Sequence, residues 1–167
     1  MGYLATNCYI LEKNGNCLVV DPGDELYAIE KQMGKNKLVG ILVTHHHEDH
    51  TGALKPLVQK YNVPVYDAYN TSEQKYEAGP FLFEVIRTPG HSSDSITFNF
   101  ESYQFMFVGD FIFKNTIGRT DLETGNMETM KQSIAKIKHY PDYMKCYPGH
   151  GESTTLGYEK ENNVYFQ

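Results

Sequence analysis

The chain lacks any run of about 18 uncharged apolar residues, the length a helix needs to cross a bilayer. Its opening Met1-Gly2-Tyr3-Leu4 carries neither the basic nor the apolar region of a secretion signal. No membrane partner is therefore expected, and the expected address is cytoplasmic. Cysteine is scarce as well: Cys8, Cys17 and Cys146 are three in 167 residues, an odd number with no CxxC spacing. That argues against a disulfide framework and reads as three reduced, buried small hydrophobes. Basic runs are missing and the formal charge is -6, so phosphate backbones are repelled and nucleic acid is not an expected partner. Repeats and low-complexity segments are also absent. A chain of this length with 40% apolar residues can bury a real core and reads as one enzyme domain over residues 1–167.

What the chain does have is histidine, concentrated in one place. The run Thr44-His45-His46-His47-Glu48-Asp49-His50-Thr51-Gly52 puts four imidazoles and two carboxylates into six consecutive residues after an apolar segment. Val39, Ile41 and Val43 read as a strand. If the extended backbone continues, His45 and His47 fall on one side of the pleat and His46 on the other. Two neutral imidazoles on one side can grip one divalent ion. Asp49 and His50 follow at the start of an expected helix and point a carboxylate and a third imidazole toward a neighbouring position. Nitrogen and carboxylate donors without thiolate suit zinc, iron or manganese, whereas a closed structural zinc site is normally rich in cysteine. An affinity tag is the bland alternative, but tags are terminal and lack interleaved Asp and Gly.

Three further islands add donors. Thr88-Pro89-Gly90-His91 sets His91 in a turn after a strand-like stretch. Phe105-Met106-Phe107-Val108-Gly109-Asp110 ends an apolar strand on a carboxylate, and Tyr147-Pro148-Gly149-His150-Gly151 repeats strand, tight turn and histidine. A single Gly-His or Gly-Asp is usually a satisfied turn. Four such islands in one short chain are a pattern.

In the order HxHxDH, TPGH, GD, PGHG, the chain resembles the metallo-β-lactamase superfamily and, within it, the single-domain glyoxalase II-like hydrolases. Thr6-Asn7-Cys8-Tyr9, Val20-Asp21-Pro22-Gly23 and Gly118-Arg119-Thr120-Asp121 extend the likeness over nearly the whole sequence. The resemblance implies an α/β (α+β) fold, the αββα sandwich of two mixed sheets flanked by helices, with the centre at one edge. It implies two divalent metal ions, zinc first, with iron or manganese as alternatives. His45, His47 and His91 would hold the first, Asp49, His50 and His150 the second, and Asp110 would bridge them. Asp21 is similar to a family residue that orients an imidazole ligand. His46 and Glu48 occupy variable positions and read as solvated loop residues, and His139 as a residue on a helix surface.

Two cations about 3.5 to 4 Å apart bring a shared water to hydroxide near pH 7, and the implied reaction is attack of that hydroxide on an acyl thioester, with Asp49 and Asp110 as the carboxylates of the reacting centre. The alternatives are a mononuclear iron persulfide dioxygenase, using mainly His45, His91 and Asp110, and another hydrolase of the same fold acting on a lactone or β-lactam. Asp110 stands where several lactamase classes place a cysteine, which disfavours a β-lactam. Two-domain glyoxalase II enzymes append a helical domain that helps bind glutathione, and this chain stops soon after Gly149-His150-Gly151. Arg119 aligns with a basic glutathione-contacting position and is a candidate substrate contact, with pairing to Asp121 as the bland alternative. Asp121 and Glu152 stand near positions where the larger enzymes use tyrosines.

Coarse element expectations follow from periodicity and turn residues. A hairpin joins Tyr9–Leu11 to Cys17–Val20 around Asn14-Gly15-Asn16. A helix covers Glu25–Met33, a strand Val39–Thr44, a helix Gly52–Tyr61 and a short strand Pro64–Tyr66. A β-rich run covers Phe81–Thr88, Ile96–Glu101 and Gln104–Val108, with Ile96, Phe98 and Phe100 on one face. A helix over Glu128–His139 carries Met130, Ile134 and Ile137 as core, and Tyr143–Tyr147 makes a final strand. The tail 161–167, ENNVYFQ, approximates a protease-tag sequence and is assigned no role.

Overall fold

In the computed structural model, which describes residues 1–167, hydrophobic patterning builds four layers. The first sheet has the order β1-β2-β3-β4, from Tyr9–Lys13, Asn16–Val20, Lys37–Leu42 and Val65–Tyr66. β1 and β2 form the antiparallel hairpin, and β2, β3 and β4 run parallel. Helices α1 (Leu26–Met33), α2 (Glu48–Thr51) and α3 (Leu54–Tyr61) fall within this half of the chain. The second sheet has six strands and also mixes directions. Its β5 (Lys75–Ala78), β6 (Phe81–Arg87), β7 (Ile96–Phe100) and β8 (Phe105–Gly109) are successive antiparallel neighbours. A small hairpin, β9 (Ile112–Phe113) and β10 (Thr116–Ile117), follows. Helix α4 (Met127–Ile137) then returns the chain so that β11 (Lys145–Pro148) lies parallel to β8, with β12 (Thr154–Thr155) at the edge, before α5 (Leu156–Asn162).

Strand alternation divides the apolar side chains into three cores. Leu18, Val20 and Leu42 of the first sheet meet Phe83, Val85, Ile96, Phe98, Phe100 and Phe107 of the second, so the aromatic pattern fills the space between sheets. The residues between those of β2, Cys17 and Val19, face the other way and pack with Ile29 and Met33 of α1 and Leu57 of α3. On the far side, Met106 and Val108 pack with Met130, Ile134 and Ile137 of α4. Helix, sheet, sheet, helix is the expected αββα sandwich. All three cysteines are free; Cys17 and Cys146 are buried and Cys8 is half-buried. No helix is long and apolar enough to cross a membrane.

Several local expectations need correction. The helix expected over Gly52–Tyr61 starts at Leu54 as α3, and a separate short helix, α2, precedes it over Glu48–Thr51, because the chain leaves helical geometry at Ala53. β5 escaped notice because Lys75-Tyr76-Glu77-Ala78 has almost no apolar alternation, and it is held by pairing with β6. α5 escaped notice because Leu156-Gly157-Tyr158-Glu159-Lys160-Glu161-Asn162 shows no apolar stripe, although Thr155 caps it by accepting from the Tyr158 amide. The tail, given no role from sequence, contributes Phe166 to the core beneath α4, at 2% exposure. Burying a phenylalanine side chain stabilises by about 1.5–3 kcal/mol.

Candidate metal centre

The centre forms where strands stop. Beyond β3 the chain bends at Thr44 and is extended again at His47, and the rings of His45 and His47 meet edge-on with centroids 4.6 Å apart. β6 leads into the turn that carries His91, β8 ends one residue before Asp110, and β11 ends two residues before His150. α2 lifts Asp49 and His50 beside them. Three sets of donor atoms lie mutually within 4.8 Å: His45, His47 and His91; Asp49, His50 and His150; and His45, His50 and Asp110. All seven residues singled out from sequence therefore come together.

Glycine makes the close approach possible. A Cβ at Gly149 would sit 2.2 Å from Asp110 Oδ1 and 2.5 Å from His50 Cε1, inside any tolerable contact. Gly109 adopts φ +53°, and a Cβ there would meet the Thr44 side chain at 2.4 Å. Larger residues at either position would push apart the strand ends that hold the donors.

Four of the five rings are fixed by a hydrogen bond from the nitrogen facing away from the centre. His91 Nδ1 donates to the Arg119 carbonyl at 2.8 Å, and His150 Nδ1 to the Leu4 carbonyl at 3.1 Å. His50 Nδ1 donates to Asp21 Oδ2 at 2.9 Å. The Thr44 hydroxyl donates to the same carboxylate at 2.7 Å, which leaves its oxygen to accept from His45 Nδ1 at 3.1 Å. Asp21 thus orients one imidazole directly and a second through Thr44, and it also accepts from the Thr44 amide at 2.7 Å. Those four rings present Nε2 inward, whereas His47 presents Nδ1, 3.1 Å from His45 Nε2 and 3.0 Å from His91 Nε2. Two nitrogen donors about 2.0–2.1 Å from a tetrahedral ion sit about 3.3 Å apart. The spacing fits.

Asp110 lies between the two sets. Its Oδ1 is 3.4 Å from His50 Nε2, and its Oδ2 is 3.5 Å from both His91 and His150 Nε2. Asp49 Oδ2 stands 3.2 Å from His150 Nε2 and accepts a hydrogen bond from the Thr6 hydroxyl at 2.8 Å. His50 Nε2 and Asp110 Oδ1 are buried with no hydrogen-bond partner. Orphaned buried polar atoms are costly, and a cation between them satisfies both.

Electrostatics separate the two sets. Burial first, and then repulsion from neighbouring imidazoles, hold His45 well below the usual histidine range, and burial also lowers His47. At His50, burial opposes charge, but the carboxylates of Asp21 and Asp110 outweigh it and raise the pKa to about 10. The surroundings draw positive charge to that nitrogen, and a divalent cation supplies it. Asp49 is lowered: burial opposes this, and the Thr6 hydrogen bond and the histidine charges prevail.

Four other residues are placed as follows. Glu48 is exposed, as expected, and His139 is exposed just beyond α4. His46 is not the solvated loop residue expected: its Nδ1 is 2.8 Å from Asp94 and its Nε2 3.3 Å from Asp67, and hydrogen bonds to those two carboxylates raise its pKa to about 9. It ties the loop after His91 to the end of β3, through a distant pairing that local sequence does not signal. Arg119 makes a two-pronged pair with Asp121 at 2.7 and 2.9 Å, which is the bland alternative of the two weighed from sequence. Sequence reasoning also passed over Thr6 as the partner of Asp49 and Arg119 as the carbonyl that aims His91.

Comparison with known proteins bears on the same residues. The family model described as the metallo-beta-lactamase superfamily matches residues 1–73 and 70–150. The chain belongs to the metallo-β-lactamase superfamily. Among curated relatives of this superfamily member, the probable metallo-hydrolase YqgX of Bacillus subtilis is 31% identical over 99% of this chain and 94% of its own length. The hydroxyacylglutathione hydrolase GloC of Haemophilus influenzae is 28% identical over 95% and 92%. Among solved structures, the BLEG-1 B3 metallo-beta-lactamase superposes with a TM-score of 0.94 at 28% identity, covering 99% of this chain and 96% of that one. TTHA1623, solved in a di-iron-bound form, gives 0.87 at 30% identity, covering 99% and 97%. The family, its metallo-hydrolase members and the His/Asp cluster make this chain a metal-dependent hydrolase.

Proposed function

We propose that the chain is a dinuclear metal-dependent hydrolase of acyl thioesters. The observation that carries this reading is the convergence of seven donors into two sets with the Asp110 carboxylate between them. His45, His47 and His91 would hold one cation, Asp49, His50 and His150 the other, and Asp110 both. Bound there, two divalent ions supply a Lewis acid for the acyl carbonyl and a water ionised near pH 7. Zinc and iron both suit these donors.

The chain's own residues organise the rest. Asp49 and Asp110 are acceptor-only carboxylates and orient the attacking water by accepting hydrogen bonds from it. Thr6 holds Asp49 in place, while Asp21 and the carbonyls of Leu4 and Arg119 hold the imidazoles. In the net reaction a water oxygen joins the acyl carbon and the carbon–sulfur bond breaks with its electron pair on sulfur. The two water protons pass to thiolate and solvent, leaving a carboxylate and a thiol. A thiol with a pKa of about 8.5 leaves without a dedicated proton donor, which favours thioesters over amides. The hydroxyacylglutathione hydrolase relative supports the same substrate class. A mononuclear persulfide dioxygenase would need mainly His45, His91 and Asp110; the convergence of Asp49, His50 and His150 favours two ions.

The test is metal analysis coupled to a panel of acyl thioesters, with one lactone and one β-lactam included because of the likeness to BLEG-1. Two equivalents of metal and thiol release abolished by chelation are expected. A fully metallated sample inert toward every thioester would overturn the reading.

A further inference from the structure

Beside the donors lies an open cleft of about 770 Å³, a volume suited to a small organic substrate. His47 and Asp49 form part of its floor, so the proposed cations face into it. Beyond them the charged side chains lining it are Asp24, Glu48 and Glu123, all exposed, and no lysine or arginine lines it. The α-amino group of Met1, which also borders the cleft, is already hydrogen-bonded to the Thr6 carbonyl. Tyr3 and Leu4 complete one lip, Tyr3 fully exposed and Leu4 58% exposed.

The cations on the loops around the centre are spent on the chain's own acids. Arg119 is held by both oxygens of Asp121, and Lys114 pairs with Glu152 at 2.9 Å. A smaller polar hollow that shares His47 and Glu123 with this cleft adds Asp94 and a second histidine, His46, which is engaged by Asp94 and Asp67. An anionic substrate entering either hollow meets carboxylates and no free side-chain cation. An uncharged or cationic substrate meets an acidic wall and exposed tyrosines, Tyr3 in the larger hollow and Tyr69 in the smaller, and a tyrosine face attracts a cation further.

From this charge layout, and resting on the thioester reading above, we infer that the cleft selects thioesters whose thiol portion is neutral or cationic and discriminates against anionic ones such as glutathione thioesters. Selection acts on the part of the substrate outside the reacting bond, so it appears in kcat/KM and weakens as salt screens the wall.

The experiment compares acetyl esters of three thiols on the metallated protein: thiocholine (cationic), N-acetylcysteamine (neutral) and glutathione (anionic), followed by thiol release. The expected kcat/KM for S-acetylglutathione is at least tenfold below the other two at low salt, and the gap narrows as salt is raised. Glu123→Lys, with metal content unchanged, is expected to shrink the gap at least threefold. A glutathione ester hydrolysed as well as the neutral ester overturns the inference, as does a gap indifferent to both salt and Glu123→Lys. If no ester is hydrolysed, the thioester reading fails on its own terms. Binding of the thioethers S-methylthiocholine and S-methylglutathione, measured by calorimetric titration, then decides the charge preference: tighter binding of the cationic thioether upholds it, and equal or reversed binding overturns it.

Discussion

The two donor sets are built from different material. His45, His47 and His91 hang from the end of β3 and the turn after β6, and their supports, Thr44 and the Arg119 carbonyl, belong to the same loop layer. In the second set, Asp49 and His150 depend instead on the amino-terminal segment, 43 and 146 residues away. His50 is fully buried against Asp21, whereas Asp49 leans on Thr6 and the half-exposed His150 on the Leu4 carbonyl. Two of the three donors in the second set are thus secured by the first six residues. The set that owes nothing to the amino-terminal segment is expected to hold its ion against perturbation, and the set propped by that segment to lose it first.

Asp110→Ala is the largest disturbance, because it removes the one carboxylate that reaches both sets. Both sites should lose metal, and hydrolysis should fall by about 10²–10³, the scale seen when a principal electrostatic element of a reacting centre is removed. Full metal content with full activity would show that Asp110 bridges nothing. His150→Ala separates the sets: about one equivalent should remain, held by His45, His47 and His91. Loss of both ions in that variant would make the two sets a single cooperative unit and erase the distinction.

Much of this centre was readable in advance, and the reason is chemical. Metal donors are few in kind, so His45, His47, Asp49 and His50 announce themselves in one run, and His91, Asp110 and His150 each follow a strand and a glycine. The layered fold was readable because inward and outward residues of β2, β7 and β8 alternate. What escaped was whatever rests on long-range polar pairing. His46 was judged from its variable position in the motif, but its partners Asp67 and Asp94 lie 21 and 48 residues away. Thr6 reaches across 43 residues to Asp49. α5 and the Phe166 anchor carry too little periodic apolar character to stand out. A hydroxyl or carboxylate in isolation has no pattern that names its partner.

Protons give a finer discrimination between the sets. At neutral pH His45 and His47 are already deprotonated, since burial lowers both, so cation binding there displaces no proton from either ring. His50, raised to about 10 by Asp21 and Asp110 against the opposing effect of burial, must surrender one. Its affinity for metal should therefore fall about tenfold for each pH unit lost, about 100-fold from pH 8 to pH 6, a loss to which His45 and His47 do not contribute on this scale. Calorimetry in buffers of different ionisation enthalpy counts the protons. Equal proton release at both sites would remove this contrast.

The smallest expected effect tests the amino-terminal prop itself. Thr6→Val keeps the shape of the side chain and deletes the hydroxyl that donates to Asp49 Oδ2 at 2.8 Å. Outer hydrogen bonds to metal ligands typically govern affinity by about 10–100-fold, and the neutral hydroxyl on a half-exposed carboxylate belongs at the lower end. About tenfold weaker binding at the second site, with the first unchanged, is the expected result of a chelator competition. Because the Thr6 side chain hydrogen-bonds Asp49 and none of His45, His47 and His91, an equal loss at both sites would mean that the segment stabilises the whole loop layer. The asymmetry would then lie in the ligands alone, with no part played by their supports.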